Sequence, residues 1–161
     1  MISIRKATLD DASNIAALSA LVWLYTYSLD GIRNEISEYA LETFTAEHIE
    51  KSLAQDNYHV LIQDEHIVGF VAVDLNATSE QAQGYEIKTL YIHPRFHRLG
   101  LGRKLLDYVK TTYGASFWLT TWVGNAPALE FYFRYGFKDV GTTYFQLSDE
   151  QHENRVLAYH K

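Results

Sequence analysis

The sequence predicts an α/β domain with a mixed β-sheet, extending over residues 1–161 without an internal linker or repeat. Its length suits one domain of ~100–200 residues, and 47% hydrophobic with 21% charged residues is an ordinary globular composition. A strand–helix–strand pattern over 84–122 implies parallel pairing, whereas alternating segments joined by short polar turns imply antiparallel hairpins. Together these observations predict helices packed against a mixed sheet.

The chain begins with a predicted strand and a long helix. Residues 2–5 alternate between apolar and polar, as in a half-buried strand. Thr8 followed by Asp11 fits a variant capping box with the acid in the first helical turn. Apolar residues then recur at helical spacing to about position 27. The mixed segment that follows has helical stretches near 36–41 and after Thr45, a potential cap.

From position 58 onward the periodicity becomes that of strands. Alternation over 58–62 and an apolar run over 67–75, separated by a polar turn, predict a β-hairpin. A polar loop at 76–83 shows no apolar periodicity. A further strand is expected over 84–92, and Pro94 ends it because proline has no N–H for a sheet ladder.

The second half alternates helices with strands and completes the predicted order β-α-α-β-β-β-α-β-α-β-β. A turn containing Gly100 and Gly102 precedes a helix that Gly114 is expected to end, because glycine favours the left-handed conformation that ends helices. The remaining elements are a buried strand over 117–122, a helix capped by Asn125 with Pro127 in its first turn and Gly136 past its end, and strands near 137–146 and 155–160.

Composition excludes several classes of protein and partner. The absence of cysteine excludes a disulfide scaffold, a thiolate metal site and cysteine catalysis. A formal charge of −6 makes nucleic acid a poor partner and favours a cationic substrate. No apolar stretch approaches the ~20 residues of a membrane span, and the N-terminus lacks a signal-peptide pattern, so we expect no membrane association and a cytoplasmic location. His93 and His97 are separated by Pro94, which breaks any helix between them, so no metal is expected.

The turn before the predicted third helix carries the most informative motif. A strand enters, a Gly-x-Gly turn follows and a helix leaves, which aims main-chain N–H groups at one point where an anion binds. Leu105 excludes a dinucleotide fingerprint, which needs glycine there, and Arg103 excludes a P-loop, which needs lysine. Positive charge accumulates at this turn although the whole chain is acidic, which indicates a confined anionic ligand. The cations are Arg95, Arg98, Arg103 and Lys104.

A second motif occupies residues 125–138, with Asn125 at a helix start and Tyr132 two turns later. Taken with the glycine turn, it resembles the GNAT superfamily of acetyl-CoA-dependent N-acetyltransferases over nearly the whole chain. Within that superfamily, the stretch 136–145 looks like the bacterial spermidine/spermine N-acetyltransferases. The resemblance implies the GNAT-type acyl-CoA N-acyltransferase fold. At the positions of His97 and Leu99 the family usually has other residues, Gln or Arg and Gly or Lys.

The resemblance implies acetyl-CoA as the co-substrate and assigns residues to it. The family's fourth strand hydrogen-bonds the pantetheine arm through its main chain, and the following turn wraps the pyrophosphate. Asn125 contacts the cofactor in the family, although an N-cap role explains this residue fully. The residues carried over to this chain are Leu90, Tyr91 and Ile92 for the strand, and His97, Arg98, Leu99, Gly100, Leu101, Gly102, Arg103 and Lys104 for the turn, together with Asn125 and Tyr132.

Three residues are candidates for the chemistry. An amine must lose its proton to attack a thioester, and Glu86 resembles the family's base; a solvent-facing or salt-bridged strand residue is an equally good interpretation. Tyr132 resembles the family's general acid for the leaving thiolate, with a core aromatic residue as the alternative. The main-chain N–H of Ile92 is the candidate donor to the developing oxyanion.

The acceptor is the least constrained part of the prediction. A polyamine pocket needs carboxylates and aromatic faces, which Trp23, Tyr27 and Glu35 supply as candidates; a partly buried helix with a solvated acidic loop explains them equally well. We therefore expect a small-molecule amine acceptor. The alternatives are a protein N-terminus or lysine, an aminoglycoside or an amino acid, or a non-catalytic acyl-CoA-binding sensor. Dimers are common in the family, so a homodimer also stays open.

Overall fold

The computed structural model describes residues 1–160, which form seven β-strands and five α-helices. The first half contains β1 (Ile2–Lys6), α1 (Ala12–Tyr27), α2 (Asn34–Thr43), α3 (Ala46–Gln55), β2 (Asn57–Gln63) and β3 (His66–Asp74). The second half contains β4 (Tyr85–Ile92), α4 (Leu101–Tyr113), β5 (Ser116–Trp122), α5 (Ala126–Tyr135), β6 (Lys138–Leu147) and β7 (Glu150–His160).

The strands form one mixed sheet in the order β1-β2-β3-β4-β5-β7-β6. β4 and β5 are parallel, with Tyr85 opposite Phe117 and Glu86 opposite Trp118, as expected for two strands that a helix connects. The pairs β1–β2, β2–β3, β5–β7 and β6–β7 are antiparallel. The predicted mixed-sheet α/β fold is therefore confirmed.

The chain divides into two compact units. The first comprises Met1–Val73 and Thr89–Leu105, and the second comprises Asp74–Lys88 with the residues from Leu106 onward. β4 and α4 thus contribute residues to both units. The prediction of a single domain over 1–161 stays a prediction.

In the first unit, α1 packs its apolar face onto strands β2 and β3. Ile15, Leu18 and Val22 lie in a buried cluster with Val60 and Phe70. Because the apolar positions recur at helical spacing, one face of the helix is removed from water. This cluster fixes α1 against the strands of its own unit.

The predicted capping box is present immediately before α1. The Thr8 N–H donates to the Asp11 carboxylate at 2.8 Å, and the Arg5 guanidinium contacts the same group at 2.8 and 3.0 Å. These hydrogen bonds hold the pKa of Asp11 below its ordinary value, and the bonds from Arg5 have the largest effect. The acid therefore ties the end of β1 to the start of the helix.

In the second unit, the two faces of the sheet have different neighbours. On one face the Tyr85 hydroxyl donates to the carbonyl of Gly114 at 2.6 Å, just past the end of α4. Phe117 stacks on Tyr159 on that face, with ring centroids 5.0 Å apart. On the opposite face, Trp118 packs with nearby apolar residues of β7 and of the polar loop after β3. That cluster consists of Trp118, Val156, Ala158, Ala77 and Ala82.

The structure corrects the predicted element order between β1 and β2, where three helices lie instead of two. The mixed segment forms two separate helices because the Thr45 hydroxyl accepts a hydrogen bond from the His48 N–H at 3.2 Å and starts α3 anew. β7 begins at Glu150, before the predicted position, since Leu147 pairs with Glu150 in the β6–β7 hairpin. No helix among residues 1–160 is long and apolar enough to cross a membrane.

Candidate active site

The chain turns back on itself directly after β4. Pro94–Phe96 form a single 3-10 turn, and the His93 Nδ1 accepts a hydrogen bond from the Arg95 N–H at 3.1 Å. The His97 side chain then reaches back five residues, and its Nε2 donates to the carbonyl of Ile92 at 2.9 Å. Because a carbonyl only accepts, this contact fixes the proton on Nε2. The end of the strand and the turn are thus joined by a side chain.

The start of α4 follows two residues in the left-handed region. Arg98 has φ of +65° and Gly100 has φ of +77°. A Cβ on Gly100 would meet no atom within 4 Å, so glycine is required there for its conformation and not for space. The first bond of the helix runs from the Lys104 N–H to the Gly100 carbonyl at 3.1 Å. The N–H groups of Leu101 and Gly102 precede that bond and point out of the helix start, which is the geometry of an anion site.

Leu101 is 5% exposed and anchors the first turn of α4 in the first unit. Gly102 lies within that turn, and not before the helix as the sequence suggested.

Four cationic side chains lie in the turn and in the first residues of α4, and all of them are exposed. A positive cluster in a chain of net charge −6 is a local reversal of charge. The cations are Arg95, Arg98, Arg103 and Lys104.

The second half of β4 approaches β3 closely at a glycine that sequence reasoning missed. A Cβ on Gly69 would lie 2.9 Å from the carbonyl oxygen of Tyr91 and 2.7 Å from Cδ1 of Ile92. The His93 N–H also donates to the Val68 carbonyl at 2.8 Å. Gly69 therefore positions the main chain of the strand residues predicted to hold the pantetheine arm.

In the second unit, α5 carries the other predicted motif. The Asn125 Oδ1 accepts a hydrogen bond from the Ala128 N–H at 3.4 Å, so Asn125 is the N-cap. Tyr132 is buried, with its ring edge-to-face against Phe131 and Phe137 at 5.3 and 5.2 Å. Burial raises the pKa of the Tyr132 hydroxyl above its ordinary value. The hydroxyl therefore keeps its proton at neutral pH.

Glu86 lies on β4 in the second unit, opposite Trp118 of β5. Residues directly opposite each other share a sheet face, so the Glu86 carboxylate is on the face that the Ala77–Ala82 loop partly covers. The side chain is half-buried.

Comparison with known proteins identifies the family. The model of the acetyltransferase (GNAT) family matches residues 20–137. The chain belongs to this family. It is therefore an acetyl-CoA-dependent N-acetyltransferase, which confirms the enzyme class that the sequence predicts.

Solved structures with the same fold cover nearly the whole acetyltransferase. The PaiA N-acetyltransferase of Thermoplasma acidophilum, solved with coenzyme A, has a TM-score of 0.74 at 18% identity and covers 96% of this chain and 98% of its own. A GNAT acetyltransferase of Bacillus cereus has a TM-score of 0.71 at 18% identity, over 100% and 98% of the two chains. Arabidopsis thaliana NAA60, solved with a bisubstrate analogue, has a TM-score of 0.72 at 15% identity, over 99% and 97%. At these identities the likeness shows the fold.

Two of the predicted acceptor residues of the acetyltransferase, Trp23 and Tyr27, lie in an aromatic cluster that joins α1 to Tyr39 of α2. Trp23 is 4% exposed and stacks on Tyr39 at 4.7 Å, with Tyr27 at 4.8 Å. Burial raises the pKa of Tyr27 to about 12, with a smaller contribution from the neighbouring Tyr39. Glu35 forms an ion pair with Arg33 at 2.8 Å, which offsets part of its charge. Trp23 is therefore buried beneath the rings of Tyr27 and Tyr39 and has little surface of its own to offer a ligand.

The acetyltransferase places its predicted site residues in both units. The first unit holds the strand and turn residues from Leu90 to Lys104 and the predicted acceptor residues Trp23, Tyr27 and Glu35. The second unit holds Glu86, Asn125 and Tyr132. Within residues 1–160, no group of three or more His, Cys, Asp or Glu side chains is placed to hold a metal ion.

Proposed function

We propose that this enzyme transfers the acetyl group of acetyl-CoA to a primary amine of a small cationic acceptor, with polyamines as the favoured class. The amine attacks directly, in a ternary complex. The observation that supports the proposal is the turn after β4, where Arg98 and Gly100 are left-handed, α4 begins at Leu101 with its first N–H groups available, and four exposed cations lie within positions 95–104. A pyrophosphate matches this arrangement in charge and in its need for hydrogen-bond donors.

The coenzyme would be held by main-chain groups and by the turn. Leu90, Tyr91 and Ile92 present their main chain to the pantetheine arm, and the turn from His97 to Lys104 receives the pyrophosphate. Asn125 contributes from the start of α5, while its side-chain oxygen remains the cap of that helix. The thioester then supplies an activated acetyl group.

Glu86 acts as the base in this proposal. A free alkylamine has a pKa near ~10.4 and is protonated at neutral pH, so it must lose a proton before its nitrogen can attack. Glu86 takes that proton, directly or through water, as the C–N bond forms. Replacing Glu86 with Gln is expected to lower the rate, and the loss is expected to shrink as the pH rises and more of the amine is neutral. A loss that stays constant with pH would contradict the role of a base.

Tyr132 acts as the acid when the C–S bond breaks. The leaving thiolate has a conjugate acid with a pKa near ~8.5, and the Tyr132 hydroxyl is protonated at neutral pH, as an ordinary tyrosine with a pKa near ~10 already is. Burial raises the pKa of this hydroxyl further, so the proton is transferred only as negative charge develops on the sulfur. The proton moves from the hydroxyl oxygen to sulfur, and solvent later restores it. The N–H of Ile92 donates to the oxyanion in the preceding step. The products are an amide and the free thiol of coenzyme A.

The charge of the chain supports a cationic acceptor. The net charge of −6 attracts ammonium groups and repels nucleic acid, and the rings of Tyr27 and Tyr39 add attraction for a cation. Glu35 adds a carboxylate, weakened by its ion pair with Arg33. A homodimer, a cytoplasmic location and the absence of nucleic-acid and membrane partners stay predictions.

The experiment is release of thiol from acetyl-CoA across a panel of amines, with hydrolysis in the absence of amine as the blank. The panel contains spermidine, spermine, simple monoamines, an aminoglycoside, amino acids and peptides with free N-termini. Faster turnover with polyamines than with the other amines supports the proposal. Turnover only with peptides would identify a protein N-terminus as the acceptor instead. In parallel, acetyl-CoA at 100 times its Kd should raise the free energy of unfolding by about 2.7 kcal/mol. Such stabilisation without any turnover would favour the sensor alternative.

A further inference from the structure

A column of polar side chains runs along the start of β7, on the sheet face that also bears Glu86. Side chains alternate along a strand, so Glu150, His152 and Asn154 share one face. Asn154 lies opposite Trp122 of β5, and the ring of Trp122 meets His152 edge-on with centroids 6.2 Å apart. We call Glu150, His152, Asn154 and Trp122 the β7 cluster. All of them belong to the second unit.

Two atoms of the β7 cluster lack hydrogen-bond partners. The Asn154 Oδ1 and the His152 Nε2 are both shielded from solvent, and neither has a partner among the described residues. The nearest charge to the His152 Nε2 is the Glu150 carboxylate, at 3.7 Å, which is beyond hydrogen-bond distance. A buried polar atom without a partner destabilises the fold, so each of these two atoms needs a hydrogen-bond donor from outside the chain, which water or a ligand supplies.

The chemistry of the β7 cluster selects the ligand. A carboxylate and an amide oxygen accept hydrogen bonds, and so does the unprotonated imidazole nitrogen. The complementary group must donate hydrogen bonds, and the Glu150 carboxylate favours a positively charged donor, which an ammonium is. An indole ring beside it adds attraction for a cation. The Glu150 side chain is 54% exposed and so offers its charge at the surface, where a cation arrives first.

The position of the β7 cluster relates it to the reaction. Glu86, the proposed base, lies opposite Trp118, and Trp122 follows four residues later on the same face of β5. Four residues of strand extend ~13 Å, and Asn154 lies two strand spacings of ~4.8 Å across the sheet from Glu86, so the main chains at Glu86 and Asn154 are ~16 Å apart. An acceptor whose reacting amine lies at Glu86 therefore reaches the β7 cluster only with a second nitrogen far along an extended chain.

We propose that the β7 cluster binds the distal ammonium group of an elongated polyamine acceptor, and so selects long polyamines over short monoamines. This rests on the proposed function, because it takes the reacting amine to be at Glu86. The ammonium donates to the Asn154 Oδ1 and the His152 Nε2, beside the Trp122 ring and within reach of the Glu150 charge. It is a binding role, separate from the steps that transfer the acetyl group.

The test compares Asn154→Leu with Asn154→Asp. Leucine removes the acceptor oxygen at similar volume, and aspartate keeps the oxygen and adds charge. For spermidine, Asn154→Leu is expected to raise KM at least about tenfold with kcat little changed, as for the loss of one hydrogen bond to a charged group. Asn154→Asp is expected to keep KM at or below the wild-type value. For a monoamine such as butylamine, both variants are expected to match wild type.

The controls separate this inference from the proposed function. Gln151→Leu alters an exposed residue of β7 on the opposite face and should leave both substrates unaffected. Calorimetric binding of spermidine to the wild type and to Asn154→Leu does not depend on turnover, so it tests the β7 cluster even if the reaction were assigned wrongly. Equal spermidine binding by both proteins, or an equal loss for spermidine and butylamine, would overturn the inference. Spermidine binding by Asn154→Asp as weak as that by Asn154→Leu would do the same.

Discussion

The imidazole Nε2 of His97 donates a hydrogen bond of 2.9 Å to the main-chain carbonyl of Ile92, five residues earlier in the chain. The donor is in the turn predicted to hold the pyrophosphate, and the acceptor ends the strand predicted to hold the pantetheine arm. Tyr25 at the end of α1 meets the same imidazole edge-on at 6.1 Å. The side chain at this position thus holds the turn in place and does not need to touch the coenzyme to affect its binding.

Replacing His97 with Ala is expected to raise the KM for acetyl-CoA about fivefold, with a smaller effect on kcat, because the loss of one hydrogen bond of ~1 kcal/mol loosens the turn. His97→Gln can still donate to the Ile92 carbonyl and is expected to recover most of the affinity. Steady-state kinetics with varied acetyl-CoA give both constants. Equal KM values for the Ala variant and the wild type would show that the hydrogen bond does not position the turn.

Gly69 lies where β3 approaches β4 closely. A Cβ there would lie 2.9 Å from the main-chain oxygen of Tyr91, and a main-chain atom cannot move aside as a flexible side chain can. Gly69→Ala is therefore expected to lower the free energy of unfolding by ~1–3 kcal/mol and to weaken acetyl-CoA binding by displacing β4.

Denaturant unfolding and calorimetry measure the two effects of Gly69→Ala. The matched control is Val68→Ala on the same strand, which creates space instead of a clash and leaves the Val68 carbonyl in place for the His93 N–H. That control is expected to lose stability while keeping acetyl-CoA affinity. If Gly69→Ala kept full affinity, β4 would tolerate the displacement, and the positioning role of Gly69 would be wrong.

The capping carboxylate of Asp11 is expected to make stability depend on pH. Its folded-state pKa is depressed, chiefly by the hydrogen bonds from Arg5, so the stabilisation is fully present above the unfolded value of ~3.9 and is lost as the pH falls through the folded value. Asp11→Asn is therefore expected to lower the free energy of unfolding by ~1–2 kcal/mol at pH 7, and this difference from wild type is expected to shrink in acid. Asp10→Asn, its exposed neighbour, is the control and should differ little from wild type at any pH. If the difference in the free energy of unfolding between Asp11→Asn and wild type stayed the same from pH 7 down into acid, the capping carboxylate would not be the source of the pH dependence.

Local sequence patterns were sufficient to predict most of the fold. The alternation of apolar residues gave the hairpin of β2 and β3, and the side-chain chemistry of Thr8, Asp11 and Asn125 marked where helices begin. The mixed segment before β2 was harder, because a short helix that begins at its own cap has few apolar positions. The start of β7 was also missed, since its polar alternation at Glu150–Asn154 lacks the apolar residues that mark a strand.

The candidate site was predictable where it is local and not where distant residues meet. The turn from His97 to Lys104 is contiguous, so its glycines and cations are visible in the sequence. The hydrogen bond from His97 to Ile92 and the close approach of β3 to β4 at Gly69 depend on three-dimensional contacts, which sequence spacing does not predict. The stacking of Trp23 on Tyr39 joins two helices and buries Trp23, which the sequence offered as a residue that contacts the acceptor.

In the proposed mechanism, Tyr132 supplies the proton to the leaving sulfur. The most direct measurement of this role is kcat for thiol release by Tyr132→Phe at saturating acetyl-CoA and amine, beside Tyr144→Phe, which removes an exposed hydroxyl elsewhere. We expect kcat to fall ~10²–10⁴-fold in Tyr132→Phe with acetyl-CoA binding retained, and to stay at the wild-type value in Tyr144→Phe. Wild-type kcat in Tyr132→Phe would contradict this role and leave Tyr132 as a packing residue of the core.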